Sequence, residues 1–341
     1  QETFKLFLLE FLIGGIMLME NVDVEFVNKC YKLLDIEKLS NNSKSFALRV
    51  LIYKLNLLKL TPTNIQTMMD ELLKSNKIYD DDFFGVKSIG TEALKKILNI
   101  VELDKDNQLN ILNYENFWRL IRKFSSFSKN CSRIYEFLNN LSIEKRFNGL
   151  DCNNFMLLLG LLDEISSQGA IGLKMTKEED KLIIEISEKA IKLTQELVNY
   201  IDFTQNDEVD SLEQLFALIQ AITHQCMNPY KPIREFSQSC LNELINKNND
   251  SYKEKLTLTN LVNSAIEPLL DSLDEHDEKL QVLIILKDFY LQQYKENKSN
   301  DEADYPTILN VFNKYNTTND EVEKVLQDLI TEKNTSTTTT S

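Results

Sequence analysis

The sequence predicts an all-α protein, a solenoid of about fifteen helices joined by short links. Apolar residues recur at helical spacing along the chain, and polar breaks interrupt them about every fifteen to twenty residues. No segment shows the alternation of apolar and polar residues that is typical of strands, and the chain has only eight glycines for the turns of a sheet. Many helices without a sheet or a nucleotide-binding loop are typical of stacked helical hairpins.

The helices predicted for residues 1–150 follow from apolar stripes. The first, Phe4–Met19, is shorter than the ~20 residues of a membrane span and carries Lys5 and Glu10, so we expect a buried helix. Later, Thr61 caps a helix whose first position is Pro62, where the missing N–H costs nothing. After the first helix, the predicted segments are Phe26–Leu34, Ser45–Leu60, Pro62–Asn76, Phe84–Glu102, Asn110–Phe124 and Asn130–Leu141.

The helix around the single tryptophan carries the main local cluster of positive charge. Trp118 and its apolar neighbours predict a core helix. Arg119, Arg122 and Lys123 beside it are candidates for a contact with a partner or with lipid headgroups.

A second region of helical repeats is predicted over residues 151–332. A disordered tail is expected at 333–341, because "KNTSTTTTS" has nothing to bury. The predicted helices of this region are Asp151–Ser167, Lys177–Tyr200, Asp207–Cys226, Ile233–Ile245, Leu256–Leu273, Lys279–Tyr294, Tyr305–Tyr315 and Asn319–Ile330.

Two prolines stand three residues apart in "ITHQCMNPYKPIREFSQSCLNELI", between two helical segments. In armadillo and HEAT arrays a proline near a helix start forces a sharp link between stacked helices. We therefore expect Asn228 to cap and Pro229 and Pro232 to set the bend. Arg234 lies away from the apolar stripe of the next helix, where such repeats use an arginine to tie neighbouring links together. A docking site for a proline-rich peptide is less favoured, since the flanks are helical.

Charge and cysteine usage exclude several classes of function. The net charge of −15, without long basic clusters, argues against duplex nucleic acid as the main ligand. The five cysteines are widely spaced and mostly lie in apolar segments predicted to be helical, which indicates reduced core residues of a cytosolic protein. Cys226 and Cys240 flank the proline turn, and a disulfide or metal pair there is the minor alternative.

No motif of catalysis or of cofactor binding appears. The sequence lacks a Walker loop, GxSxG, HExxH and CxxC, so we expect no enzyme activity, no cofactor and no metal. His224 is expected to be buried or to cap a helix end, and His276 to lie in a solvated acidic link, Asp274–Glu278. The acidic run in Tyr79–Gly85 lacks calcium-loop spacing and instead favours a helix start.

Three segments, in the right order, resemble one protein family. "QAITHQCMNPYKPIREFSQSCLNELI" is similar to a turn late in the large Golgi-type Arf guanine-nucleotide exchange factors, the fungal Gea and plant GNOM branch. "IEPLLDSL", Ile266–Leu273, resembles the "PLL" helix that follows, although Glu267 replaces a preferred aromatic. "NFMLLLGLLDEISSQGAIG", Asn154–Gly172, resembles the helix and loop that precede the turn in the fungal branch.

The resemblance implies a position downstream of the Sec-seven catalytic domain, in armadillo-like repeats. Residues 1–150 would be the middle homology region and 151–332 the C-terminal one, each part of a longer parent chain. The exchange reaction of that family needs a glutamate in a Phe-Arg-Leu-Pro-Gly-Glu-like loop, which is not found here. The implied function is therefore regulation and targeting in Golgi vesicle transport, by a cytoplasmic module peripheral to Golgi membranes. The implied partners are small GTPases of the Arf or Rab type, Golgi membranes or membrane proteins, and other domains of the parent.

A second function class stays open independently of the resemblance. A generic HEAT- or armadillo-type scaffold, such as an adaptor or a karyopherin-like segment, has the same helical pattern. A karyopherin-like array would repeat Trp-Asn pairs along its groove, and this chain has one tryptophan.

Overall fold

A computed structural model describes residues 61–74, 89–126, 128–168, 177–204, 208–247, 252, 255–295, 301–315 and 320–338. The helices predicted at Phe4–Met19, Phe26–Leu34 and Ser45–Leu60 lie outside these residues, as does Tyr79–Gly85. The chain divides into two compact units, Gln1–Leu157 and Leu158–Ser341. Each unit is described by itself below.

The first unit is built from helices that pack pairwise. Helix α1 (Pro62–Lys74) packs on α3 (Glu115–Ser125), while α3 and α2 (Ile89–Leu103) both pack on α4 (Ser128–Ile143). The centre of this packing is aromatic, since the Phe117 and Trp118 ring centroids lie 4.9 Å apart in a T-shaped arrangement and Phe137 lies 6.2 Å from Phe117. The unit also contains the start of α5 (Cys152–Ser167) and a 3-10 turn at Ile111–Asn113.

The second unit continues from α5 with further stacked helices. They are α6 (Lys177–Glu196), α7 (Glu208–Gln225), α8 (Lys231–Asn242), α9 (Leu258–Leu261), α10 (Glu267–Ser272), α11 (His276–Lys295), α12 (Asp301–Tyr315) and α13 (Asp320–Thr338). Helix α8 packs on α6, α7 and α11, and α11 packs in turn on α12 and α13. Two π-helical turns, Glu243–Lys247 after α8 and Val262–Ile266 between α9 and α10, widen the backbone locally.

The predicted fold class is confirmed. Every regular element among the described residues is helical, and stacked helix pairs are consistent with an α-solenoid. Among these helices, none combines the length and the apolar character that crossing a bilayer requires. The division between Leu157 and Leu158 falls inside α5, and the predicted boundary at residues 150 and 151 stays a prediction.

Two stretches differ from the expected helices. The segment predicted as Asn110–Phe124 is broken, because Asn110 has a left-handed φ of 47° and Tyr114 is extended, so a 3-10 turn precedes α3. The tail expected to be disordered from Lys333 is helical to Thr338. At the residue where the tail was expected to begin, the Lys333 ammonium lies 3.3 Å from the centroid of the Tyr305 ring, a cation–π contact.

Candidate functional site

The basic residues of the first unit lie on one face of α3. Arg119, Arg122 and Lys123 are three and four positions apart, which places them side by side on a helix. Arg119 is exposed and pairs with Glu115 at 2.9 Å. Arg122 is exposed near the C-terminal end of the helix. The surface charge of this face therefore comes mainly from the two guanidinium groups.

Lys123 has a structural bond that its sequence position did not indicate. It is partly buried, and its ammonium donates to the Leu73 carbonyl oxygen at 3.1 Å, near the C-terminal end of α1. A cation at a helix C-terminus is stabilised there by the helix dipole. Lys123 thus joins α1 to α3.

Trp118 belongs to the core and not to the charged face. Its side chain is 1% exposed, and the indole Nε1–H donates to the Leu112 carbonyl oxygen at 2.8 Å. The predicted core helix is confirmed.

The proline turn of the second unit is organised around a buried asparagine. Asn228 is 5% exposed, and its side-chain oxygen accepts from the Tyr230 N–H at 3.0 Å. Helix α8 begins at Lys231 with Tyr230 as its N-cap residue, so Asn228 closes the turn before the helix and is not itself the cap. Pro232 stands within the first turn of α8, where its missing N–H leaves no helical bond unmade.

Arg234 ties this turn to the start of α11. One guanidinium nitrogen donates to the Asn228 and Pro229 carbonyl oxygens at 2.9 and 3.0 Å, and Nε donates to Glu278 at 2.8 Å. A second carboxylate, Glu275, lies 3.5 Å from the guanidinium. The Arg234 and Glu278 side chains are 14% and 7% exposed, so this is a largely buried, charge-assisted bond.

The burial of Glu278 differs from what the sequence predicted for the acidic run that contains it. The acidic run Asp274–Glu278 was expected to be a solvated link, but Glu278 is buried. The signal that identifies it is periodicity, since Glu278 precedes the buried Val282 and Leu286 by one and two helical turns.

His224 forms a pair that sequence spacing could not indicate. Its Nδ1 lies 2.8 Å from an Asp163 carboxylate oxygen, 61 positions away in the chain. Gln225 donates to the same carboxylate at 2.7 Å and to Ser167 Oγ at 2.8 Å. Of the two expected roles, burial is wrong, because the imidazole is 57% exposed, while capping at the end of α7 stays a prediction. The hydrogen bond to Asp163 raises the pKa of His224, although partial burial opposes it.

The described cysteines are free thiols. Cys131, Cys226 and Cys240 are buried and Cys152 is partly buried, while Cys30 lies outside the described residues. Burial raises the pKa of Cys226 strongly and that of Cys240 to about 11. These two thiols are therefore protonated and poor nucleophiles.

The two groups of predicted site residues belong to different units. The structure joins Asn228, Pro229 and Arg234 in one hydrogen-bonded turn, with Pro232 in the adjoining first turn of α8. The sequence did not indicate that Glu278 and Glu275 are the ion-pair partners of Arg234. The turn holds successive helices together through hydrogen bonds and ion pairs, whereas the α3 face presents two exposed guanidinium groups.

Comparison with known proteins identifies relatives of one kind. The chain is 34% identical over 326 residues to ARF guanine-nucleotide exchange factor 2 of Saccharomyces cerevisiae, an alignment that covers 89% of the chain and 22% of that protein. It is 26% identical over 328 residues to ARF guanine-nucleotide exchange factor 1 of the same yeast, covering 88% of the chain and 23% of that protein. The chain thus spans less than a quarter of the length of the curated relatives it matches. No family model matches it.

Proposed function

From the similarity of nearly nine-tenths of this chain to part of two Arf guanine-nucleotide exchange factors, we propose that it is a regulatory and targeting region of such a factor. The resemblance to this class, predicted from the sequence, is confirmed by these relatives. The assignment to the fungal Gea and plant GNOM branch, downstream of the catalytic domain, stays a prediction. The 34% identity to the yeast factor is the observation on which the proposal mainly rests.

The proposed role is non-catalytic. The glutamate loop used for exchange in this class does not occur in the sequence, and the polar clusters of the described residues join helix to helix. A helical solenoid offers long surfaces whose main use is binding. We propose that these surfaces control where the exchange domain of the parent chain acts in Golgi vesicle transport.

The names of the relatives support Arf-family GTPases as the proposed partners. Rab-type GTPases, Golgi membrane proteins and other domains of the parent, in the cytoplasm at the Golgi surface, are proposed from the sequence resemblance alone. Arg119 and Arg122 on α3 are the proposed contact with anionic headgroups or an acidic partner surface. Each basic side chain near an anionic membrane contributes roughly 1 kcal/mol, so the pair supplies a factor of about thirty in binding.

Flotation with liposomes tests this proposal. The purified chain is mixed with Golgi-like anionic liposomes at physiological salt, with and without a GTP-loaded Arf-type GTPase. We expect recruitment when the GTPase is present and a large loss in the charge-reversed variant R119E/R122E. The matched control is K95E/R133E, which removes the same charge at exposed positions of the same unit, on α2 and α4.

The outcomes separate the possible roles. Equal loss in both double variants would show that only net charge matters and would remove α3 as the contact. Absence of binding to liposomes and to the GTPase would refute direct targeting and leave an internal regulatory or scaffold role.

A further inference from the structure

A cavity of about 480 Å³ lies between α8 and α11 in the second unit. Ile284 and Ile285 supply its aliphatic lining, and the rest is mostly side chains that carry charge or form hydrogen bonds. Ligand sites in proteins commonly measure about 300–1,000 Å³, so the space suits a few residues of a peptide.

The cavity contains a hydrogen-bond donor without an acceptor. Gln238 lines it and is only 6% exposed, and its amide nitrogen has no partner among the described residues. Buried polar groups in folded proteins are nearly always paired, because an unpaired donor loses its bonds to water. The nitrogen is itself buried, so the side chain has to turn toward the cavity before an acceptor oxygen there can pair with it.

The charge that the cavity offers is negative. The exposed carboxylates of Glu235 and Asp277 line it, and Asp277 forms no ion pair within the described part of the chain. The lining cation, Lys231, lies 3.3 Å from Glu275, which is outside the lining, and 4.0 Å from Glu235. Asp277 is therefore the more available of the two exposed carboxylates. A positively charged group therefore gains more in this cavity than an anion does.

We propose that this cavity binds an extended peptide segment of a protein partner that carries a lysine or arginine. A main-chain carbonyl of the peptide accepts from Gln238, and its basic group pairs with Glu235 and Asp277. Asn242 offers a second donor, because its side-chain oxygen accepts from Asn246 at 2.8 Å, whereas its amide nitrogen has no hydrogen bond among the residues that the structure describes. A peptide fits better than an apolar small molecule, since a main chain supplies acceptors and donors at every residue.

Arg234 prepares the cavity without taking part in binding. It holds Glu278, which also lines the space, through the 2.8 Å bond to the guanidinium. This third carboxylate is thereby neutralised and fixed, and the two exposed carboxylates are left to select the ligand.

Fluorescence anisotropy with two labelled peptides tests the proposal on the full chain. One octapeptide alternates lysine and serine, and the other alternates glutamate and serine. We expect saturable binding of the lysine peptide, weakened by added salt, and none of the glutamate peptide. In the variant E235Q/D277N the affinity for the lysine peptide should fall at least about tenfold.

A second variant separates binding from structure. In Q238L a side chain of similar size replaces the amide, so the free chain should melt at a higher temperature while the affinity for the peptide falls. A purely structural glutamine would give a lower melting temperature and unchanged affinity. The control is E323Q/D328N, which neutralises two exposed carboxylates on α13.

Three results would overturn the proposal: equal binding of both peptides, no binding of either, or equal weakening in the α13 control. If Q238L fails to fold, the comparison of E235Q/D277N with that control still decides. The test involves neither a GTPase nor a membrane, so its failure would leave the proposed targeting role untouched.

Discussion

Replacing Arg234 with methionine should destabilise the second unit more than any exposed charge does. The substitution keeps most of the side-chain volume but removes the guanidinium from Glu278, which is 7% exposed, and from the Asn228 and Pro229 carbonyl oxygens. The carboxylate is then left buried without a cation.

The expected size follows from burial. Removing one partner of a buried ion pair costs about 3–5 kcal/mol, whereas an exposed pair contributes about 0–1 kcal/mol. Glu275 is 51% exposed and lies 3.5 Å from the guanidinium, so E275Q should cost less than about 1 kcal/mol. For R234M we expect a loss of about 4 kcal/mol in the free energy of unfolding.

Urea unfolding followed by circular dichroism measures this loss. With a slope of about 3 kcal/mol per molar, 4 kcal/mol lowers the midpoint by about 1.3 M. The double variant R234M/E278L removes both charges and should be less destabilised than R234M, because no unpaired carboxylate remains. R234K tests geometry, since lysine keeps the charge without the planar fork that reaches two carbonyls and a carboxylate.

Two results would refute this reasoning. A loss below about 1 kcal/mol in R234M would mean that the pair behaves as a surface ion pair. A double variant as unstable as R234M would mean that the cost comes from lost packing or from the two carbonyl bonds.

Two further predictions concern titrating groups. Asp163 raises the pKa of His224 above its ordinary value of 6.5. The contribution of this pair to the free energy of unfolding is therefore fully present below pH 6.5 and is lost as the pH rises through the raised pKa. The melting temperature of D163N should therefore fall further below that of the wild type at about pH 6 than at about pH 9, and an equal gap at both would contradict the assignment. Since burial raises the pKa of the Cys226 thiol, iodoacetamide should label it slowly in the folded protein and quickly in urea; mass spectrometry showing equal rates would exclude the buried thiol.

The sequence predicted helix positions correctly where a capping residue, a proline or an apolar stripe determines them. Pro62 begins α1 as its fixed φ predicts, and the stripe that includes Ile233 and Leu241 is buried on α8. The break before α3 was missed, because it depends on the left-handed Asn110, a conformation that neighbouring residues do not signal.

For polar side chains, the sequence predicted the orientation on a helix but not the partner. That Arg234 lies off the apolar stripe was readable from helical spacing, but its partners were not, since Glu278 is 44 positions away. The Asp163 and His224 pair, 61 positions apart, depends on how α5 and α7 come together, and helical periodicity gives no information on that. The Lys123 bond to a main-chain oxygen also needs the packing of α1 on α3.

The single buried tryptophan determines what spectroscopy can observe in this protein. Trp118 is 1% exposed and belongs to the first unit, so the tryptophan part of the intrinsic emission comes from an indole held away from water and reports only its own surroundings in that unit. The second unit contains no such fluorophore. A change in this emission therefore reports on the first unit, and binding at the cavity between α8 and α11 has to be followed with a label of its own.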